Sequence, residues 1–127
     1  MNYTKNNVTK HEYTMHKHVY DLHIVNTPRI ISYDEKDQVM VMERIGMSIS
    51  DFYGEDHHDV PKKIFYEIRK IIKILYENNI QYPDITGYNF IEYENKIWII
   101  DFEHATFICP FVVDFIDGLN KWNPDFR

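Results

Sequence analysis

The chain has little cysteine, little glycine and no long apolar run. Its one cysteine, Cys109, excludes an internal disulfide framework and any zinc site built from several cysteines. No apolar stretch is long enough to span a bilayer, and no basic start followed by an apolar run marks a signal peptide. We therefore expect a soluble, cytoplasmic protein with no membrane partner.

Positive charge is also scarce, since 14 Lys and Arg residues stand against 20 Asp and Glu residues, a formal net charge of −6. Such a surface repels phosphate backbones, which argues against a nucleic-acid partner. The composition is nevertheless 44% hydrophobic and 16% aromatic, which is too apolar for a disordered chain. With 127 residues, there is room for one domain around one core.

Hydrophobic periodicity in the first half predicts one helix and one hairpin. The polar residues 1–10 are interpreted as an arm, ahead of a short amphipathic helix over residues 11–22. Two β-rich runs, at residues 29–33 and 38–44, are joined by a short polar loop and predict a hairpin. Ser48 then caps a brief helix.

The second half predicts the longest helix and a second hairpin. Pro61 suits the first turn of that helix. A loop over residues 82–89 leads into a hairpin of residues 90–94 and 96–102, and a last short helix is expected after Pro110. The apolar stripe of the longest helix consists of Ile64, Ile68, Ile71, Ile72 and Leu75.

The informative stretch runs from Tyr82 to Glu103 and reads YPDITGYNFIEYENKIWIIDFE. Asp84 and Asn89 lie in the loop, and Asp101 ends the buried strand of the second hairpin. Across a tight hairpin these three side chains can converge on one point. Phosphoryl transfer requires oxygen ligands for Mg²⁺ and an acceptor for the proton of the incoming hydroxyl, and these residue types supply both.

This stretch resembles the catalytic loop and metal loop of the protein-kinase superfamily, in which H-x-D-x-x-x-x-N is followed by a hairpin and D-F-G. Within that superfamily, D-I-T-x-x-N-F-I is most similar to the small atypical kinase of the KEOPS tRNA-modification complex, which has Thr at the position of Thr86. The ending IDFEHA resembles choline and aminoglycoside kinases, in which Glu often replaces the glycine, as Glu103 does here. The resemblance implies that Asp84 is the catalytic base and that Asn89 and Asp101 hold Mg²⁺.

Upstream segments resemble the same superfamily. The segment VMVMERIGMSISDFY is similar to the fifth strand, hinge and following helix of casein-kinase-like proteins. That similarity implies that backbone groups around Met42, Glu43 and Arg44 face the adenine of ATP, with Thr86 also at the nucleotide site. The helix that holds Glu12 resembles the C helix, whose Glu normally pairs with a lysine on a strand.

Two parts of the superfamily pattern are expected to be missing. None of the four glycines forms G-x-G-x-x-G, so no loop covering the phosphates is encoded. There is no evident room before Glu12 for the first three strands, and Lys5 and Lys10 lie too close to Glu12 in sequence to be the phosphate-holding lysine in its usual place. The lysine is therefore expected to be absent, unless Lys5 reaches in from a flexible arm. Tyr82 replaces the catalytic-loop His, which in kinases mainly supports geometry.

The predicted fold class is α+β, a minimal protein-kinase-like fold lacking the first small-lobe strands and most of the C-terminal helices of the large lobe. One kinase-like domain is expected over residues 1–127, with a small-lobe remnant and hinge at about 11–44 and a reduced large lobe at about 47–127. Asp114 either anchors the last helix to the catalytic loop or is simply exposed.

Two functional hypotheses follow from the resemblance. The first is a minimal kinase-like protein that binds ATP with Mg²⁺ and has weak phosphotransferase activity. The second is an inactive pseudokinase that acts as an interaction module, in which a protein partner or a second copy covers the open strand edge of the first hairpin. In a third possibility, the absent strands come from another polypeptide.

Other conspicuous residues receive structural interpretations. His57, His58 and Asp59 resemble a metal cluster, but adjacent histidines are expected to point apart into solvent. His16 and Glu12 are spaced for an ordinary surface pair. The basic residues of the longest helix are assigned to its solvated face: Lys62, Lys63, Arg69, Lys70 and Lys73. A helix covering the core, rather than a partner surface, is expected for the last apolar residues: Phe107, Phe111, Val112, Phe115 and Trp122.

Overall fold

The computed structural model describes residues 1–107, and the chain begins in it with a strand, β1 (Asn2–Lys5). This strand pairs antiparallel with β3 (Val39–Glu43), which places Tyr3 opposite Met42. The expectation of a polar arm is therefore wrong. A strand with one side exposed needs few apolar residues, because alternate side chains point to opposite faces of the sheet.

Helix α1 (Lys10–Leu22) and strand β2 (Ile30–Asp34) complete the first half. Thr9 caps α1 by accepting a hydrogen bond from the backbone N–H of Glu12 at 3.1 Å. β2 pairs antiparallel with β3, which confirms the first hairpin, and the sheet order is β1-β3-β2. The edge of β3 that was expected to be open is therefore covered by β1, and β1 and β2 are the edges.

The second half is helical, as the sequence predicts. Ser48 caps α2 (Ile49–Tyr53) by accepting from the backbone N–H of Asp51, and a short 3-10 turn (His57–Asp59) follows. Helix α3 (Lys62–Glu77) begins after Pro61 and buries the whole predicted apolar stripe. Its predicted basic face is exposed except at Arg69, which is half-buried.

The second hairpin consists of β5 (Phe90–Tyr93) and β6 (Lys96–Ile99), as predicted. A further two-stranded sheet was not predicted: β4 (Ile80–Gln81) pairs antiparallel with β7 (Thr106–Phe107). It ties the end of α3 to the segment that follows the IDFE motif. Two-residue strands carry no periodicity, so no sequence pattern signals them.

Two apolar clusters lie on either side of a cleft. The large one joins α1, α3, the 82–89 loop and the β5–β6 hairpin, and its largest members with almost no exposure include Tyr82, Phe90 and Phe102. The small one, under the β1-β3-β2 sheet, consists of Val8, Met40 and Met42 with half-buried neighbours from α1 and β2. Helix α1 contacts both clusters.

Several expectations concern the chain beyond residue 107, outside the described residues. They are the helix after Pro110, the role of Asp114, and the packing of the aromatic residues from Phe111 to Trp122. Phe107, the one member of that aromatic group within them, is exposed. Among residues 1–107, no helix combines the length and apolar character needed to cross a membrane.

Candidate functional site

A cleft of about 720 Å³ lies between the β1-β3-β2 sheet and the β5–β6 hairpin. The sheet contributes Tyr3, Lys5 and Met42 to its wall, and the hairpin side contributes Asn89 and Asp101. The chain from residue 43 to residue 48, which connects the two sides, closes one end. Seven residues were assigned from the sequence to the catalytic, nucleotide or metal site, and five of them line one cavity: Met42, Glu43, Arg44, Asn89 and Asp101.

Lys5 corrects the expectation that no lysine pairs with the glutamate of helix α1. Its Nζ lies 2.5 Å from Oε2 of Glu12 on helix α1 and 3.5 Å from Oδ1 of Asp101. Glu12 itself is only 2% exposed, so it is not the exposed acid that its helical position suggested. The prediction that Lys5 lies too close to Glu12 in sequence to pair with it was wrong. Only four residues join β1 to α1, yet the two side chains meet.

The charge of Lys5 is held in place by its surroundings. Burial disfavours the ammonium ion, but the hydrogen bond to Glu12 and the charge of Asp101 outweigh burial and raise the pKa of Lys5. Glu12, Asp101 and Glu103 each place a carboxylate oxygen within 4.8 Å of the others. One lysine among three carboxylates leaves a net negative site, which favours cations over isolated anions.

Asp101 follows β6 in an uncommon backbone conformation. Its φ is +65°, in the left-handed region that residues other than glycine rarely adopt. Its Oδ1 accepts a hydrogen bond from the backbone N–H of Glu103 at 3.3 Å. Asp tolerates this conformation better than most residues, because its short side chain bonds to nearby backbone.

The 82–89 loop is bonded directly to the strand that leads to Asp101. The Nδ2 of Asn89 donates to the carbonyl oxygen of Asp84 at 2.8 Å, and the N–H of Ile100 donates to the carbonyl oxygen of Asn89 at 3.0 Å. Tyr82, at the position of the catalytic-loop His, donates its hydroxyl to the carbonyl oxygen of Ile100 at 2.5 Å. These bonds bring Asp84, Asn89 and Asp101 to the same side of the molecule.

Asp84 has a partner that the sequence did not reveal. Its Oδ2 lies 2.5 Å from Nδ1 of His104, whose side chain is 58% exposed, while the side chain of Asp84 is 10% exposed. The hydrogen bond to Asp84 raises the pKa of His104. Asp84 does not line the cleft itself. The only hint in the sequence was that His104 lies three residues after Asp101.

Thr86 and the hinge differ from expectation in detail. Thr86 is buried and accepts a hydrogen bond from the backbone N–H of Tyr88 at 3.3 Å, away from the cleft wall, so its nucleotide role stays a prediction. In the hinge, the N–H of Arg44 already donates to the carbonyl oxygen of Met1 at 3.0 Å. Ile45, the next residue, also lines the cleft.

Two histidines of α1 hold the site's framework together. His16 is buried, contradicting its assignment to a surface pair, and its Nε2 lies 2.8 Å from the carbonyl oxygen of Pro28. Its ring is 5.2 Å from that of Phe102, in the IDFE motif. The Nε2 of His11 lies 2.6 Å from the carbonyl oxygen of Ala105. Helix α1 is thus bonded to the segments on both sides of the cleft.

The histidines of the 3-10 turn lie apart from this site. The rings of His57 and His58 are 3.8 Å apart and both face Asp56, so the expectation that they point apart is wrong, and Asp56 rather than Asp59 is their neighbour. The Nδ1 of His58 donates to Oδ1 of Asp56 at 2.9 Å, and His58 is largely exposed, as expected.

Fold and cleft together define a protein-kinase-like protein. The solved structure described as "Structure of the Cydia pomonella Granulovirus kinase, PK-1" aligns with a TM-score of 0.63 at 15% identity, covering 85% of this chain and 44% of that one. The RIO domain family matches residues 1–108, and the chain therefore belongs to that family. The expected minimal kinase-like fold is confirmed.

A curated relative agrees with the resemblance inferred from D-I-T-x-x-N-F-I. The KEOPS complex subunit Bud32 of Pyrococcus abyssi (strain GE5 / Orsay) is 32% identical over 84 residues, which is 65% of this chain and 38% of that protein. The chain therefore spans well under two thirds of the length of both relatives. Membership of this family establishes that the chain is an atypical kinase-like protein.

Proposed function

We propose that the chain binds a magnesium nucleotide in the cleft and acts as a weak phosphotransferase. The observation that carries this proposal is the position of Lys5, which contacts both Glu12 and Asp101 at the wall of the cleft. Active protein kinases require a strand lysine paired with a helix glutamate and an aspartate that holds the metal. The three residues here reproduce that set.

Asn89 and Asp101 fit a magnesium ion by their chemistry. Mg²⁺ takes oxygen ligands and in kinases is bound through one or two side chains plus the phosphates. The Nδ2 of Asn89 is used by the carbonyl oxygen of Asp84, which leaves its Oδ1 for a cation. When bound, the ion would neutralise phosphate charge. Lys5 would hold the phosphates from the opposite side of the cleft.

Asp84 is the proposed base for the acceptor hydroxyl, and the hinge is the proposed adenine site. The carboxylate of Asp84 has one oxygen against His104 and the other not engaged by that bond. At the hinge, the backbone N–H groups of Glu43 and Arg44 already donate to the carbonyl oxygens of Arg29 and Met1. The adenine contacts are therefore proposed for the remaining backbone groups of residues 43–45, all three of which line the cleft. Thr86 stabilises the 82–89 loop by accepting a hydrogen bond from the backbone N–H of Tyr88.

Turnover is expected to be weak because one part of the kinase set is not encoded in this chain. No G-x-G-x-x-G sequence is present to cover the phosphates. Each charge-assisted hydrogen bond that a triphosphate does not receive costs roughly 1.5–3 kcal/mol, or at least about tenfold in affinity or rate. Lys5 supplies one such bond that the sequence had suggested was missing, so the deficit is smaller than expected from the sequence.

The test is the melting temperature with and without millimolar Mg-ATP. At ten times Kd, a ligand that binds only the folded state adds about 1.4 kcal/mol, or a few degrees. Asp101→Asn should abolish the shift. Asn tolerates the left-handed conformation at this position, so it is a better variant than Asp101→Ala. Asp37→Asn, in an exposed turn, should leave the shift intact. The absence of any shift in the unchanged chain would contradict the proposal.

A second candidate function is an interaction module without catalysis. Two observations favour it: His104 contacts the carboxylate of the proposed base Asp84, and Asp84 does not line the cleft. β1 and β2 are both edges of their sheet, and an edge strand is a template for pairing with another chain. Light scattering without nucleotide would then show self-association or partner binding, and Asp84→Asn would leave it unchanged.

A further inference from the structure

The 3-10 turn between α2 and α3 carries a group of metal-ligand side chains that has no role so far. In the part of the chain that the structure describes, two groups of His, Asp and Glu side chains bring three ligand atoms within 4.8 Å of one another. One of these groups belongs to the cleft. The other, the Asp-His-His group, consists of Asp56, His57 and His58.

The ligand atoms of the Asp-His-His group are spaced for one tetrahedral ion. Oδ1 of Asp56 lies 2.9 Å from Nδ1 of His58 and 3.9 Å from Nδ1 of His57. Two ligands that each bind one zinc ion at about 2.0–2.2 Å stand about 3.4 Å apart along an edge of the tetrahedron. Each observed distance is within about 0.5 Å of that edge, so small rotations of the side chains bring all three onto one ion.

The backbone already orients the carboxylate of this group. Asp56 is the N-cap of the turn, and its Oδ1 accepts a hydrogen bond from the backbone N–H of His58 at 2.9 Å. A metal-binding carboxylate is usually fixed by a hydrogen bond of this kind. The rings of His57 and His58 lie 3.8 Å apart and both face Asp56, so the three side chains share one side of the turn.

We propose that Asp56, His57 and His58 form a surface binding site for a zinc ion. Imidazole nitrogen is a good ligand for Zn²⁺, whereas Mg²⁺ takes oxygen ligands. The site therefore differs in chemistry from the magnesium site proposed in the cleft, and it does not depend on nucleotide binding. Three protein ligands leave the fourth position of the ion to water.

Zinc binding requires a change of tautomer at His58. Its Nδ1 donates a hydrogen to Oδ1 of Asp56 in the free protein, so this nitrogen has no lone pair for a metal. When zinc binds at Nδ1, the proton is carried by Nε2 instead. The side chain of His58 is 76% exposed, so water reaches Nε2 and can deliver the proton.

The experiment is a calorimetric titration of the full chain with zinc chloride in millimolar Mg²⁺, which competes for sites made of oxygen ligands alone. The unchanged chain should bind one zinc ion with a Kd of about 100 μM or tighter. Three variants, Asp56→Asn, His57→Asn and His58→Asn, should each weaken binding at least about tenfold, because each removes one ligand. Asn is also a good N-cap, so Asp56→Asn keeps the turn.

Two matched controls separate metal coordination from charge and from histidine content. Asp59→Asn removes the same charge from the same turn but leaves the Asp-His-His group intact. His23→Asn removes an exposed histidine after α1, where Asn tolerates the left-handed φ of +54°. Both controls should bind zinc within about twofold of the unchanged chain.

Four results would overturn the inference. Equal losses in Asp56→Asn and Asp59→Asn would mean that zinc is attracted only by the charge of the turn. Zinc binding that survives all three ligand substitutions, displacement of zinc by Mg²⁺, or a Kd of about 1 mM or weaker in the unchanged chain would exclude the site. Since the three variants test the site independently, one that folds poorly leaves the other two to decide.

Discussion

The two sides of the cleft are held together by different means. The hairpin side is built on the large apolar cluster, in which α3 alone buries six residues. The sheet side has three buried apolar residues, Val8, Met40 and Met42. Much of its remaining cohesion is polar: the pair of Lys5 and Glu12, and the hydroxyl of Tyr33, which donates to the carbonyl oxygen of Val8 at 2.7 Å.

The comparison indicates where the molecule opens. A region with few buried apolar side chains unfolds locally at a lower free energy than the core on which it rests. The sheet should therefore separate from α1 and the hairpin before α3 unfolds. Since Lys5 belongs to the sheet and Asp101 to the hairpin side, such an opening changes the site itself.

The largest expected effect is truncation in the large cluster. Leu75→Ala, at a side chain with no exposure, should lower the free energy of unfolding by about 2–5 kcal/mol, because it removes buried methylenes and leaves a cavity. Chemical denaturation measures the loss. Met40→Ala, equally buried but in the small cluster, should instead speed hydrogen exchange in β1 and β3 while α3 keeps its protection. Equal loss of protection in both regions would contradict the proposed difference.

Protonation of His16 should weaken the packing of α1 against the cleft. The expected loss in free energy of unfolding is comparable to that for Leu75→Ala. Burial lowers the pKa of His16 to about 4, so the unfolded chain binds the proton more readily than the folded one between pH 6.5 and 4. Stability should fall by roughly 3 kcal/mol as the pH drops through that window. His16→Gln removes the titration, and its stability should lack this component; an identical pH profile would refute the assignment.

Removal of Lys5 should have a smaller effect on stability but a large one on binding. Lys5→Met leaves the buried Glu12 without its partner, at a cost of roughly 2 kcal/mol. The double variant Lys5→Met with Glu12→Gln should recover most of that stability, because no unpaired charge remains. Nucleotide binding, by the melting-temperature shift, should stay abolished in both. Recovery of binding in the double variant would show that the charge of Lys5 is not used.

The smallest expected effect concerns His104, which contacts Asp84 from an exposed position. Its raised pKa means that the pair stabilises the fold fully below pH 6.5 and that this contribution disappears as the pH rises through the folded-state pKa. Solvent limits the contribution to at most about 1 kcal/mol. The difference in stability between the unchanged chain and His104→Asn measures it. A difference that grew toward alkaline pH would have the wrong sign.

The hairpin side of the cleft could largely be predicted from the sequence, whereas the sheet side could not. Helix α3 and the β5–β6 hairpin carry strong periodicity, and the order Asp84, Asn89, Asp101 follows a local motif, so all were found from the sequence. β1 has four mostly polar residues and gains its place by pairing with β3, more than thirty residues away. Lys5 and His104 could not be assigned because their partners are set by tertiary contacts, which no local pattern records.

The first residue of the chain has a practical consequence for work on this protein. The carbonyl oxygen of Met1 accepts from Arg44 at the end of the cleft, and Tyr3 follows in its wall. Any affinity tag or fusion partner joined ahead of residue 1 therefore emerges at the cleft opening. Such an attachment would compete with ligands for the same space, so assays should use chains from which it has been cleaved.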